Sequence, residues 1–448
     1  MEQSKILEKS TQQRRSYLSE KGWYRKEDII MELLQLCQEA HACRGIIGRL
    51  STEEKNAVLH TAADFLIDKE ETILSANKLD IAYAEEKGMA KGMIDRLALS
   101  ASRIADMADG LRQVASLNDP IGDVLSSVER PNGMVVTKRR VPMGVVGIIY
   151  ESRPNVTADA FGLCFKTGNV CILKGGSDAI HSNIAIVNVL KEALKKHGLP
   201  EAACSLIEDT NRETTMAFMK MKDYVDVLIP RGGSGLIQNV VNNATIPVIE
   251  TGVGNCHVYV DEFADLDMAV NVVFNAKTQR ISVCNACESL LVHASIAPTF
   301  LPKLQEKLAE KSVELRVDGF CLPYLNKEKT VVKEAEEADW GTEYLDYILS
   351  VKSVSNVDEA IAHINKYNTA HSESIITTNA EIAEKFLNEI DSACVYWNVS
   401  TRFSDGNEFG FGAEIGISTQ KLHARGPMGL EALTSYKYVI YGDGQVRN

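Results

Sequence analysis

Several features that would place this chain in a membrane, on a nucleic acid or outside the cell are missing. No uncharged apolar run approaches the roughly 20 residues that a bilayer-spanning helix needs. The first thirty residues carry Glu2, Glu8, Arg14, Arg15 and Glu20 in place of a signal-peptide apolar core. No membrane association and a cytoplasmic location are the expectations. Positive charge is also short: 48 Lys and Arg face 61 Asp and Glu, a formal net charge of -13. Phosphate backbones are held by clustered Lys and Arg, so no nucleic-acid partner is expected, and any anionic substrate needs a local basic pocket. The ten cysteines fall at irregular spacings in a long chain. That pattern excludes a compact disulfide framework and predicts reduced, mostly buried thiols. Cys284 and Cys287 spell C-x-x-C, which by itself reads as a redox dithiol or half a zinc site. No second such pair and no His pair at ligand spacing accompanies them, so a tetrahedral site lacks two ligands and no metal is expected. Internal repeats and low-complexity tracts are absent.

What is present is ordinary in amount and informative in arrangement. Hydrophobic residues make up 45% and charged residues 24% of 448 residues, the balance of a folded soluble protein. At about 150 residues per domain, two or three domains are expected. The first 120 residues read as helical, with a capping box at Ser51 and Glu54 opening an amphipathic stretch. The polar opening segment, to about Asp28, reads as a surface arm with no function to attach to it.

From Pro142 short apolar runs alternate with helical stretches. Strands are predicted at 145–150, 170–173, 205–208, 225–230 and 247–250. A helix striped by Ile180, Ile184, Val187, Leu190 and Leu194 stops at Gly198 and Pro200. Such alternation implies right-handed crossovers and a parallel sheet covered on both faces; the pattern fits a dinucleotide-binding or a flavodoxin-like fold equally. A second α/β series starts at Asp265, a helix cap, and runs to a strand at 393–398. Between the helical start and the first sheet, residues 124–140 with a turn at Pro131, Asn132 and Gly133 predict a projecting hairpin, and 436–441 a matching strand.

Three segments carry chemistry. Cys284 follows a helix beside Lys277 and Arg280; positive neighbours favour the thiolate, which is the nucleophile, though a buried structural thiol fits the same string. Arg231-Gly-Gly-Ser-Gly235 lies between a strand and a helix, where backbone N–H groups at the helix start suit a phosphate; a plain turn explains it too. Lys174-Gly-Gly-Ser177 ends another strand and offers an ammonium and a hydroxyl to a ribose or its phosphate.

Taken together these segments, with residues 141–157, 254–261, 400–406 and 418–434, resemble the aldehyde dehydrogenase superfamily, specifically its glutamyl-phosphate-reducing branch, from about Leu50 to the C-terminus. The resemblance implies a Rossmann-type cofactor domain (residues 1–122 and 142–252), a second α/β catalytic domain (253–423) and a small oligomerisation flap (123–141 and 424–448). It implies reduction of the small molecule glutamyl 5-phosphate by NADPH through a thioester on Cys284, a place in proline biosynthesis, a homo-oligomer and a functional link to glutamate 5-kinase. It assigns Lys174 and Ser177 to the adenosine ribose; Ser177 stands where many NAD-preferring relatives carry an acid, whose charge would repel a 2'-phosphate. Gly232, Gly233 and Ser234 match the pyrophosphate turn, and Glu343 the acid that holds the nicotinamide ribose. Asn155 and Arg153 both align with the oxyanion-stabilising position, beside a backbone N–H at Cys284. Arg153, Arg280, Arg402 and Arg425 are candidates for gripping phosphate or carboxylate, against the alternative of surface ion pairs. His257 and His423 are candidate proton donors. Glu250 occupies the position of the water-activating glutamate of hydrolytic relatives, which a thioester-reducing enzyme does not need. A hydrolytic or coenzyme A-acylating chemistry on the same cysteine, and a non-catalytic thiol or metal-binding protein, are the other readings.

Overall fold

The computed structural model describes residues 26–447, so the polar opening segment lies almost wholly outside the described residues. The described chain divides into two compact units: residues 26–232, 238–248 and 433–447, and residues 233–237 and 249–432.

The first unit starts with five helices, α1 (Lys26–Ile47), α2 (Thr52–Asp68), α3 (Glu70–Glu86), α4 (Lys91–Leu97) and α5 (Ala101–Ser116). The capping box forms as the sequence predicts: the Ser51 hydroxyl accepts from the Glu54 N–H at 3.2 Å, and the Glu54 carboxylate accepts from the Ser51 N–H at 2.7 Å. These satisfy two donors that the first turn of α2 would otherwise leave unpaired. An antiparallel pair, β1 (Val124–Glu129) and β2 (Val135–Pro142), turns through Gly133 at φ +83°, a conformation glycine adopts without strain. Next come β3 (Val145–Tyr150), α6 (Asn155–Lys166), β4 (Val170–Lys174), α7 (Ile180–Lys196), β5 (Cys204–Leu206), α8 (Arg212–Phe218), β6 (Val227–Arg231) and α9 (Ser234–Asn243). The four parallel strands line up as β5-β4-β3-β6. Counted from its own first strand, that order is 3-2-1-4, the dinucleotide-binding half rather than the flavodoxin order.

The expected strand at 247–250 does not form. Only Val248 bridges to Leu228, and the Pro247 carbonyl accepts from the Leu228 N–H at 2.8 Å. Proline brings no N–H to continue a ladder.

The second unit is built on a parallel sheet of seven strands in the order β10-β9-β11-β8-β7-β12-β13. They are β7 (Cys256–Val260), β8 (Cys287–His293), β9 (Glu314–Val317), β10 (Val332–Glu334), β11 (Ile348–Val354), β12 (Ser372–Ile376) and β13 (Cys394–Trp397). Helices α10 (Leu266–Thr278), α11 (Ala297–Ala309), α12 (Val357–Tyr367) and α13 (Ala380–Glu389) connect them. Asp265 caps α10, its carboxylate accepting from the N–H groups of Asp267 and Met268. Successive strand residues feed opposite faces. Val258, Leu290 and Val292 join Phe300 and Leu304 in one core, while Tyr259 and Leu291 join Ile361, Ile364 and Phe386 in another. Burying each such side chain stabilises the fold by about 1.5–3 kcal/mol, which is why these strands read as apolar runs without alternation. A short antiparallel pair, β14 (Ile417–Ser418) and β15 (Gly426–Pro427), lies in the same unit.

The last strand, β16 (Thr434–Tyr441), pairs antiparallel with β2, so the hairpin and the C-terminal strand form one three-stranded sheet. It clusters with the first unit. Among the described residues no helix is long and apolar enough to cross a membrane.

Candidate active site

In the first unit the predicted cofactor residues sit where the strands of the Rossmann-ordered sheet end. Lys174 closes β4, and Ser177, exposed, opens the turn into α7. The Lys174 ammonium is buried and donates to the Gly175 carbonyl at 3.0 Å. Burial lowers its pKa, with Asp209 pulling the other way. The α7 N-terminus is already served by the protein: buried Asp80 of α3 accepts from the His181 N–H at 3.1 Å and the Ser182 N–H at 2.8 Å. Gly232 follows β6 directly, and Gly232, Gly233 and Ser234 are all exposed, Ser234 starting α9. Gly233 and Ser234 cluster with the second unit.

Beyond β3, Ser152 adopts φ +39° and donates a hydrogen bond to Asp178. The sequence reading passed over this acid, which lies one position beyond Ser177. Arg153 is half-buried; Asn155, exposed, is the first residue of α6 and donates to Asp159 at 3.0 Å. Burial pushes Asp159 up to about 6, against the opposing effects of Asn155 and Arg231.

In the second unit the candidate residues gather at the amino ends of the strands. Cys284 lies on the loop between the C-terminus of α10 and the start of β8. None of the ten cysteines is in a disulfide, and nine are buried; only Cys284 is partly open to solvent. Cys287, three residues on, is enclosed in β8, donates to the Ser289 carbonyl, and is pushed by burial up to about 12. A thiol so held is inert at neutral pH.

The Cys284 loop is set directly against the chain that leads into β7. A Cβ on Gly254 would lie 1.4 Å from the Cys284 carbonyl oxygen, so only glycine permits the approach. The same carbonyl accepts from the Cys256 thiol at 3.2 Å. Glu343, expected at the nicotinamide ribose, accepts from the Gly254 N–H at 2.7 Å and so belongs to this cluster.

The electrostatics differ from the sequence reading in one respect. Lys277 is fully buried and paired with Glu288, whose carboxyl burial pushes up to about 7 despite the lysine. Its charge is therefore spent in the core, because α10 turns that face inward. Positive charge near the thiol comes instead from arginines. Arg280 is exposed, and Arg402 feels both Arg280 and Cys284; burial, then the Arg280 charge, holds the Arg402 pKa below the ordinary guanidinium value. Arg402 donates from Nε to Gln279 at 2.9 Å and from Nη1 to Asn285. Sequence reasoning missed Asn285 and Gln279, which carry no motif of their own; adjacency to Cys284 was the only signal.

Four further residues singled out by the sequence are placed elsewhere. Arg425 donates to Asp391 at 2.8 Å, with Lys421 on the same carboxylate, and is the surface ion-pair partner of the alternative reading. His257 is fully buried, its Nδ1 3.1 Å from Glu373. His423, at φ +67°, is tied through Nε2 to the Ala432 carbonyl. The Glu250 N–H donates to the Gln420 side chain at 2.9 Å.

The aldehyde dehydrogenase family model matches residues 30–320 and 330–439. A gamma-glutamyl phosphate reductase of Agathobacter rectalis is 66% identical, with 93% of this chain and 99% of that one covered; one from Lachnospira eligens is 58% identical with the same coverage. The solved structure of a gamma-glutamyl phosphate reductase from Thermotoga maritima superposes with a TM-score of 0.90 at 49% identity, covering 93% of this chain and all of the other. Fold order, the open thiol and these similarities lead to one conclusion: the chain belongs to the aldehyde dehydrogenase family and, within it, to the gamma-glutamyl phosphate reductases.

Proposed function

We propose that this chain reduces L-glutamyl 5-phosphate to L-glutamate 5-semialdehyde, the second step of proline biosynthesis from glutamate, with Cys284 as nucleophile and NADPH as reductant. The observation that carries the reading is the contrast among the thiols: Cys284 alone is open, and it lies within the influence of Arg402. The names of the high-identity relatives supply the substrate class.

The Cys284 thiolate attacks the acyl carbon; a C–S bond forms, the C–O bond to phosphate breaks, and phosphate leaves with the electron pair. Arg280 and Arg402 are assigned to the departing phosphate or the substrate carboxylate, since guanidinium pairs with either in bidentate fashion. Donors for the oxyanion are the Cys284 backbone N–H together with Asn155 or Arg153. NADPH, when bound, supplies the hydride to the thioester carbon. The oxygen's electron pair then re-forms the C=O bond as the C–S bond breaks, which returns the thiolate and releases the aldehyde with no net proton consumed in this step.

The residues at the strand ends fit such a cofactor: an exposed glycine turn opening a helix of ten residues suits a pyrophosphate, and no carboxylate stands at Ser177. Lys174, Ser177, Gly232, Gly233, Ser234 and Glu343 are the groups that would hold it. The three-stranded sheet, with Val128, Tyr436, Tyr438 and Ile440 exposed, is assigned as an oligomerisation flap, with the division into cofactor, catalytic and flap segments given above; sedimentation velocity of the full chain reads that assignment. Glutamate 5-kinase makes the acyl phosphate and is the expected upstream partner in the cytoplasm.

The test runs the reaction in reverse, following NADPH formation from glutamate semialdehyde and NADP with and without inorganic phosphate. Phosphate-dependent turnover that disappears in Cys284→Ala is the expected result. Turnover that ignores phosphate, or survives in the variant, overturns the assignment.

A further inference from the structure

Asn285, beside the nucleophile, is a buried amide whose side chain makes three hydrogen bonds, all to the segment 402–404. Its Nδ2 donates to the main-chain carbonyls of Arg402 at 3.3 Å and Ser404 at 2.9 Å. Its Oδ1 accepts from Arg402 Nη1, and its own carbonyl accepts from the Thr401 hydroxyl at 2.7 Å. Gln279, at the end of α10, accepts from a second Arg402 donor, Nε, at 2.9 Å. Both partners therefore belong to the segment that carries Cys284, whereas Arg402 belongs to the loop after β13.

An arginine on a loop has many rotamers, and ordering it costs entropy that a fixed acceptor pair removes in advance. We infer that Asn285, with Gln279, is a positioning pair that holds the Arg402 guanidinium beside Cys284, so that thiolate and anion site are built as one unit. The inference rests on the reading of Cys284 and Arg402 given above. Neither amide touches the reacting atoms; they act through Arg402.

Two readouts separate this role from a general structural one. In the reverse assay, Asn285→Ala raises the KM for inorganic phosphate about tenfold, as expected for losing a hydrogen bond to a charged group, with kcat changed less. The pH at which iodoacetamide alkylates Cys284 at half its maximal rate moves upward, because the cation is no longer held near the thiol. In an Arg402→Ala background the same substitution adds nothing to either, since coupled residues are non-additive. Full additivity with Arg402→Ala, or an unchanged alkylation profile, overturns the inference. Should Asn285→Ala not fold, Gln279→Ala, at an exposed residue, runs through the same cycle with the same expectations. Loss of turnover in Cys284→Ala alongside additive behaviour sinks the positioning role alone, while turnover surviving in Cys284→Ala sinks the underlying reading.

Discussion

The candidate residues lie at opposite ends of the strands in the two parallel sheets. In the first unit the candidate residues follow the strands: Lys174 closes β4 and Gly232 follows β6, the carboxyl ends at which open α/β sheets ordinarily bind ligands. In the second unit Gly254, Cys284 and Glu343 precede β7, β8 and β11. The difference has an electrostatic consequence. Helices begin after carboxyl ends and present N–H groups and partial positive charge there, which suits a phosphate. They end before amino ends, so Cys284 follows the C-terminus of α10, whose partial negative charge works against a thiolate. On the proposed reading, side-chain cations do at one end what backbone does at the other, and that part is assigned to Arg402 with Arg280. The ends differ in tolerance as well. The first offers exposed glycines, whereas the second is packed so closely that a Cβ on Gly254 would lie 1.4 Å from the Cys284 carbonyl oxygen.

Gly254→Ala should break this contrast most severely. Displacing the Cys284 backbone by the order of an ångström should lower turnover about 100-fold, with cofactor affinity little changed; steady-state kinetics with separate kcat and KM checks it, and a near-normal kcat would mean the loop yields freely.

The amino-end region also imposes a pH dependence on stability. His371, just before β12, and His363 on α12 are depressed by burial to about 4 and about 3. Between those values and the ordinary histidine range the unfolded chain binds more protons, so stability falls as pH falls below about 6.5. Each histidine contributes about 2 kcal/mol to that loss by about pH 5. Denaturant titrations at neutral and acid pH should show the slope, and His371→Asn should flatten it; an unaltered slope would remove His371 from the account.

At the opposite end the smallest effect is expected. Lys174→Met should raise the KM for NADPH about tenfold, the worth of one charge-assisted hydrogen bond, and leave kcat nearly unchanged. A fall in kcat alone would sharpen the comparison differently, by tying Lys174 to the chemical step.

Local rules were enough to read much of the fold. Short apolar runs between helical stripes located β3 to within its observed ends, and the Ser51 capping box, the Asp265 cap and the Gly133 turn all act within a few residues of themselves. The string around Cys284 was likewise legible as a candidate nucleophile, because a thiol beside cations is a chemical statement made by neighbours. Tertiary packing decided the rest. It buried Lys277 against Glu288, tied Arg425 to Asp391, enclosed His257, ended the ladder at Pro247, and brought Arg402 to a cysteine more than a hundred positions earlier in the chain. Burial and long-range pairing depend on which faces of distant elements meet, and no window of sequence contains that. Residue type and spacing therefore determined which groups were available, and the fold determined which of them keep their charge, their exposure and their reach.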